Sequence, residues 1–393
     1  MDRKIRFGVF GTWRGLAYIR AIQMTDEAEV VAIFDKDPDK IERAKPCCAP
    51  GVKVASSFDD LLDSGIDALV LCNYFPEHAP YAIKALKKGI HVFSETTPAA
   101  TLKQCVELVE AVEESGKLYA LAENYPYSRA NMEIARVYQS GSLGRVIFAE
   151  GEYVHPMSDK ESSYYAPDAN HWRKHNPKTY YSTHALTPLM VATGLMSRRV
   201  IGKIAARPKA DGSGVEDAAG IILVEMEGGA LFRVSGSCSF GPHGNWYRLG
   251  CEKGGIESVR GTSDKVRLVY NEWNLTDETK DFGTECVYSP FVDELGKKAL
   301  STGHSGGDFW VTWHFIQAIL GKEQPAVDVY HSAAISAVGI LAWRSVLEDS
   351  KQMDIPDFRC KADRDRVRDD DLNPFPVDGV PADIGHRYWG VVR

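Results

Sequence analysis

The sequence predicts an α/β fold: an N-terminal Rossmann-type parallel sheet, followed by a C-terminal α+β domain with a mainly antiparallel, open sheet. Three observations carry that expectation. The apolar run Ile5–Phe10 ends in a glycine-bearing turn, Gly11-Thr12-Trp13-Arg14-Gly15, ahead of a helical pattern. A second apolar run, residues 30–34, closes on Asp35. After Glu123 the segments lengthen and alternate apolar with polar residues, as half-buried antiparallel strands do.

The first third alternates strand and helix. Strands are expected at Ile5–Phe10, 30–34, 52–55, 68–72, His91–Ser94 and 118–122, each a short apolar run. Between them, Ala82, Ala85 and Leu86 share one face of a helix over 81–88, and a second helix is expected over 102–114. Strands apolar on both faces and separated by helices form a parallel sheet covered on both sides. Its ligand lies beyond the carboxyl ends of the strands. Residues 1–122 are assigned to this domain.

A substrate and oligomerisation domain is assigned to 123–358. Its strands are expected at Val146–Val154, 200–206, 219–227, 230–239 and Val266–Tyr270, with Gly228-Gly229 as a hairpin turn. Helices follow at 309–320 and 332–347, free to pack back on the first domain. Residues 359–393, rich in Asp, Arg and Pro, read as an irregular tail.

The chain has 393 residues, 44% of them hydrophobic, which suffices for two cores. A net charge of −8 without a basic block argues against nucleic acid or anionic membrane as partner. No apolar stretch is long enough for a membrane-spanning helix. The eight cysteines form no C-x-x-C pair, and the adjacent Cys47-Cys48 suits neither a disulfide nor a shared metal. Reduced thiols, and a start Met1-Asp2-Arg3-Lys4 running straight into the first strand, point to a cytoplasmic protein.

The glycine turn names a cofactor. Glycines let backbone N–H groups approach a pyrophosphate, the helix N-terminus adds positive potential, and the later carboxylate accepts from ribose hydroxyls. The middle glycine of G-x-G-x-x-G is missing, with Trp13 in its neighbourhood. Asp35 repels a 2′-phosphate and so favours NAD over NADP. Expected cofactor contacts are Gly11, Thr12, Trp13, Arg14, Gly15 and Asp35, with Asn73, His78, Glu95 and Asn124.

Four clusters concentrate chemistry where a carbohydrate could meet the nicotinamide: Ser94-Glu95-Thr96-Thr97-Pro98, Ala122-Glu123-Asn124-Tyr125-Pro126-Tyr127, Glu150-Gly151-Glu152-Tyr153-Val154-His155, and Asn170-His171-Trp172-Arg173 leading to Tyr180-Tyr181-Ser182-Thr183-His184. The spacing of two puts Tyr153 and His155 on one strand face. His171, Trp172 and Arg173 read as a sugar-lining loop, with Trp172 as an exposed stacking platform and Arg173 as donor. Two histidines four apart without a helical pattern or carboxylate make no metal site, and none is expected. His304-Ser305-Gly306-Gly307-Asp308 reads as an N-cap turn, with Asp308 capping the first amides, or else as a loop that closes over the substrate.

On residues 8–15, Asp35, 67–72 with Glu77-His78, 89–98 and the helix opening at His184, the chain resembles the Gfo/Idh/MocA oxidoreductase family. That family usually carries Glu-Lys-Pro where this chain has Glu95-Thr96-Thr97-Pro98, so the lysine that helps take the hydroxyl proton is absent. A subgroup also lacking it, the NAD-retaining glycosidases of the α-N-acetylgalactosaminidase type, is similar at Glu123-Asn124, Tyr153-Val154-His155 and Tyr181-Ser182-Thr183-His184. Ser182 stands where proline is common. The resemblance implies oxidation of a CH–OH group of a sugar or glycoside, at C3, or redox-neutral glycoside hydrolysis begun by the same step. A non-catalytic NAD-binding regulator is the third expectation. By the same resemblance His184 relays the hydroxyl proton with Tyr181, Tyr153 and His155 serve the C2 proton or the leaving group, and Glu123 orients the sugar. A homo-oligomer is implied too.

Overall fold

The computed structural model describes residues 3–167, 171–208, 215–277 and 280–376. Six strands, β1 (Ile5–Phe10), β2 (Ala28–Phe34), β3 (Lys53–Val54), β4 (Ala68–Leu71), β5 (His91–Ser94) and β6 (Tyr119–Leu121), form one all-parallel sheet in the order β3-β2-β1-β4-β5-β6. This is the doubly wound dinucleotide-binding order, whose direction of progress reverses between β1 and β4. Phe7, Val9, Val70, Leu71, Val92 and Phe93 are buried, as strands covered on both faces require.

The unit containing this sheet is discontinuous: Met1–Asn124, Val292–Ala333 and Phe358–Asp371. The sequence reading ended the first domain at 122. Aromatic packing explains the return of the chain, because Phe315 of helix Gly307–Ile319 stacks on Phe93 with centroids 4.9 Å apart and meets Phe7 edge-on at 6.3 Å. The start of the supposedly irregular tail is a helix, Lys361–Val367. Arg364 pairs with Glu113 at 2.7 Å, and Arg368 at the helix end pairs with Glu110 at 2.7 Å. Both carboxylates lie on helix Leu102–Ser115, so the charged run is a docking face.

The second unit comprises Tyr125–Phe291, Ala334–Asp357 and Leu372–Arg393. Its nine strands are β7 (Val146–Val154), β8 (Ser197–Pro208), β9 (Val215–Met226), β10 (Leu231–Cys238), β11 (Gly244–Cys251), β12 (Gly254–Ser258), β13 (Val266–Tyr270), β14 (Glu285–Tyr288) and β15 (Met353–Asp354). They run in the order β14-β13-β12-β11-β7-β10-β9-β8-β15, antiparallel except for the β7–β10 pair. The β9–β10 hairpin turns at Gly228-Gly229, both with positive φ.

Alternation along β7 sets the unit's layering. Ala149 and Gly151 face helix Thr183–Thr193, and Gly151 is the point of closest approach: a Cβ there would lie 1.9 Å from the Ala185 carbonyl oxygen. The opposite face carries a cross-strand row of alternating charge, Arg267, Glu257, Arg248, Glu150 and Arg233, in register on five neighbouring strands. Among the described residues, no helix is long and apolar enough to cross a membrane.

Candidate functional site

Gly11 follows β1 with φ 88°, a left-handed conformation that favours glycine. A Cβ there would lie 2.3 Å from the backbone of Cys72, so the end of β1 and the chain after β4 meet only across a glycine. Helix Thr12–Gln23 starts at once, its first amides at the switch point of the sheet. Asp35, just past β2, accepts from Thr12 N at 2.6 Å and Thr12 Oγ1 at 3.2 Å, fixing the carboxylate beside the turn. Lys36 is paired with Glu77 at 3.0 Å, so the cation beside Asp35 is already answered. Trp13, where a glycine was expected, is 42% exposed in the first helical turn.

Asn73, Thr97 and Asn124 follow β4, β5 and β6, three neighbours in the sheet. Each has a buried polar atom without a hydrogen-bond partner among the described residues: Asn73 Oδ1, Thr97 Oγ1 and Asn124 Oδ1. Buried polar groups are rarely left unmatched, and a ligand with hydroxyl and amide groups would match these. The glycine cradle, the helix terminus, Asp35 and these atoms fit a dinucleotide.

Behind the turn lies a charged network. Glu95 Oε1 accepts from Arg14 Nε and from Tyr18 OH at 2.7 Å, and Oε2 accepts from Thr96 N at 3.0 Å. Arg14 Nη2 also donates to Asp308 at 2.8 Å. Burial pushes the Glu95 carboxyl up, but Arg14 and Tyr18 outweigh it and hold its pKa below the usual range. Arg14 and Glu95, expected to touch cofactor, therefore brace the turn from behind.

Two expectations are corrected. Asp308 does not cap its helix: the N-cap is Gly306, left-handed at φ 92° with no side-chain cap, and Asp308 is taken up by Arg14 and Asn124 instead. His78 is not turned toward a ligand, because Nδ1 lies 3.0 Å from Thr97 O and Nε2 3.0 Å from Asn73 O. It clips together the chain segments after β4 and β5.

A neutral imidazole donates to only one of those carbonyls. Burial lowers the His78 pKa below its ordinary 6.5, against the pull of the carbonyls of Thr97 and Asn73. The unfolded chain then binds the proton more readily. The stability due to neutral His78 is thus present above 6.5 and lost as pH falls through the lower folded value. Thermal melts should show Tm declining on acidification through this window, with a shallower slope in His78→Gln; an unchanged slope in that variant would refute the assignment.

The second unit gathers the tyrosines and histidines singled out in the sequence. His184, 8% exposed, opens helix Thr183–Thr193 at its second residue. Its ring lies 4.5 Å from that of Tyr125, 4.6 Å from Tyr153 and 5.0 Å from Tyr181. Its backbone carbonyl accepts from Tyr247 OH at 2.6 Å, which pins the helix start to β11. Tyr153 and His155 do share a face, with ring centroids 5.7 Å apart. Burial and the facing His243 ring, 4.7 Å away, lower the His155 pKa, favouring the neutral imidazole.

Tyr125 stood in the cluster after the sixth strand without an assigned role, and His243 was not among the sequence candidates. His243 carries no local signature. Glu123 is fully buried in the first unit, at the end of β6. Trp172 is not an exposed platform: it is 9% exposed, with His171 stacked at 5.8 Å and the Arg173 guanidinium 4.4 Å above its ring. Arg173 itself is exposed. Asn170 lies outside the described residues.

The parallel sheet, the glycine cradle and the unmatched polar atoms at its strand ends define an NAD-binding protein of oxidoreductase fold. Residues 5–123 match the oxidoreductase family with NAD-binding Rossmann fold, Gfo/Idh/MocA, and residues 268–362 match the glycosyl hydrolase 109 C-terminal domain. The chain is thus similar to the Gfo/Idh/MocA family over its first third and to the family 109 C-terminal domain over part of its second half. Among its relatives, glycosyl hydrolase family 109 protein 1 of Shewanella sp. (strain ANA-3) is 24% identical over 391 residues, covering 90% of this chain and 85% of that one. The family 109 protein of Saccharopolyspora erythraea is 25% identical over 388 residues, covering 90% and 83%. The fold is also that of the WlbA dehydrogenase from Bordetella pertussis, solved with NADH and UDP-GlcNAcA. That match has a TM-score of 0.73 and 20% identity, over 91% of this chain and 99% of that one.

Proposed function

We propose that this protein is an NAD-dependent enzyme acting on a CH–OH group of a glycoside, and that it cleaves the glycosidic bond without net redox change. The observation that carries this reading is the His184 ring set among three tyrosine rings within 5.0 Å. Such a cluster supplies several proton-transfer groups, more than a single oxidation requires. Thr96 and Thr97 stand where the family's lysine would serve that oxidation. The names of the family 109 relatives support the same reading.

When bound, NAD would supply the hydride acceptor for the oxidation and the hydride donor for the closing reduction. His184, with Tyr181, accepts the proton of the sugar hydroxyl as its C–H bond breaks. The ketone acidifies the neighbouring C2–H. Tyr153 or His155 removes that proton, the electron pair forms the C1–C2 double bond, and the C1 substituent leaves with a proton from the same pair. Water then adds at C1, C2 is reprotonated, and the ketone is reduced back to the alcohol. Glu123, being fully buried, tunes a neighbouring group rather than touching the sugar. Asp35 and the amides after Gly11 would hold the cofactor, with Asn73 and Asn124.

Turnover of a nitrophenyl glycoside in deuterated buffer tests this. Aglycone release with deuterium at C2 and no accumulating NADH is the expected result. NADH accumulating in proportion to sugar consumed would instead establish a simple dehydrogenase. Neither activity, with NAD bound, would leave a regulator.

We infer further that the chain forms a homo-oligomer through the charged sheet face, where Leu223 and Leu231 stay 37% and 40% exposed beside Glu150 and Arg233. The eight cysteines, none of them in a disulfide among the described residues, support a cytoplasmic setting.

A further inference from the structure

Asp308 is only 1% exposed, yet every side of its carboxylate is in use. Oδ1 accepts from Arg14 Nη2 at 2.8 Å and Asn124 Nδ2 at 2.7 Å. Oδ2 accepts from His304 Nδ1 at 3.0 Å and Arg14 Nη1 at 3.4 Å. The chain wraps the carboxylate through three successive left-handed residues, His304, Ser305 and Gly306, at φ 54°, 55° and 92°. A Cβ on Gly303 would lie 2.4 Å from Oδ2, so the wrapping is tight.

This arrangement dictates which way the Asn124 amide points. An ionised carboxylate only accepts hydrogen bonds, so it can hold Asn124 solely by Nδ2, and Oδ1 must turn away. Burial pushes the Asp308 carboxyl up, but His304 and Arg14 outweigh it and keep it ionised. Asn124 is 3% exposed, and its Oδ1 has no hydrogen-bond partner among the described residues. An acceptor has been oriented, buried and left open at the carboxyl end of the sheet.

We propose that Asp308 is a positioning residue for the cofactor: by gripping Nδ2 it presents Asn124 Oδ1 to an N–H or O–H donor of bound NAD. The proposal rests on NAD occupying the end of the parallel sheet. It extends the reading of Asn124 by naming what sets the amide's direction, and it gives the His304–Asp308 segment a role in binding. The competing role for Asp308 is that of a counter-charge for Arg14 alone.

Calorimetric titration of NAD into the full-length protein separates the two. Asn124→Ala and Asp308→Ala should each weaken binding about 10-fold, the loss of one hydrogen bond. The double variant should also be about 10-fold weaker, because both changes remove the same contact. Asp308→Asn keeps an oxygen that accepts from Asn124 Nδ2 and should bind within about 3-fold of wild type. A double variant about 100-fold weaker, or Asp308→Asn as weak as Asp308→Ala, would overturn the proposal in favour of the counter-charge. Should the Asp308 variants not fold, Asn124→Asp decides. It keeps an acceptor but sets two carboxylates against each other, so it should bind as weakly as Asn124→Ala, and wild-type affinity would overturn the proposal. Wild-type protein that binds no NAD would overturn the cofactor assignment itself.

Discussion

Replacing His184 with alanine should lower kcat by about 10²–10⁴-fold, the contribution of a positioned acid–base group, and leave NAD affinity unchanged. The imidazole sits among the rings of Tyr125, Tyr153 and Tyr181, and is the one member of the set with two ring nitrogens able to exchange a proton. The turn at Gly11 belongs to the other unit, which is why cofactor binding should survive. Tyr181→Phe keeps the packing and removes the hydroxyl, so it should lose part of the same rate without losing Tm. A His184→Ala protein with near-normal kcat would remove His184 from the chemistry, whatever the remaining tyrosines do.

Gly151→Ala should be nearly as damaging, although the residue carries no functional group. Its Cβ would fall 1.9 Å from the Ala185 carbonyl oxygen, where ordinary contact begins at 3.4 Å, so β7 and helix Thr183–Thr193 must separate by about 1.5 Å. Both sides of the clash are backbone, so no side chain can swing clear. Overpacking of this kind costs about 1–3 kcal/mol of stability. The larger effect is on geometry: Tyr153 is on the strand and His184 on the helix, and a displacement of about 1 Å between reacting groups costs on the order of 10²-fold in rate. Kinetics and melting of the variant, alongside an unaltered NAD titration, check this. Wild-type kcat and Tm together would show that the strand and helix do not need this close approach.

Much of the first unit was legible because its signals are local. The apolar runs ending at Phe10, Phe34 and Ser94 coincide with the ends of β1, β2 and β5, and Gly11 and Asp35 follow two of them directly. In the second unit β7 and β13 were read with their observed limits, since period-two alternation survives in them. β11 and β12 were missed: Gly244, Gly250, Gly254 and Gly255 interrupt their apolar pattern and read as turns. Helix Asp159–Tyr165 was also missed, although Ser158 and Glu161 form a capping box that its spacing announced. Trp172 was misjudged because an aromatic beside arginine looks the same in sequence whether it is presented or covered.

By itself the sequence determined the strand–glycine turn–helix start, the carboxylate after β2, and the alternation that makes a half-buried sheet. Each depends on neighbours within a few residues or on a fixed period, which a linear chain displays. Only the tertiary structure decided that Asp308 meets Arg14 across 294 positions, that His78 clips two loops, and that Gly151 lets His184 reach Tyr153. These pairings are chosen by close packing and by the demand that buried polar groups find partners, conditions met in space with no period along the chain.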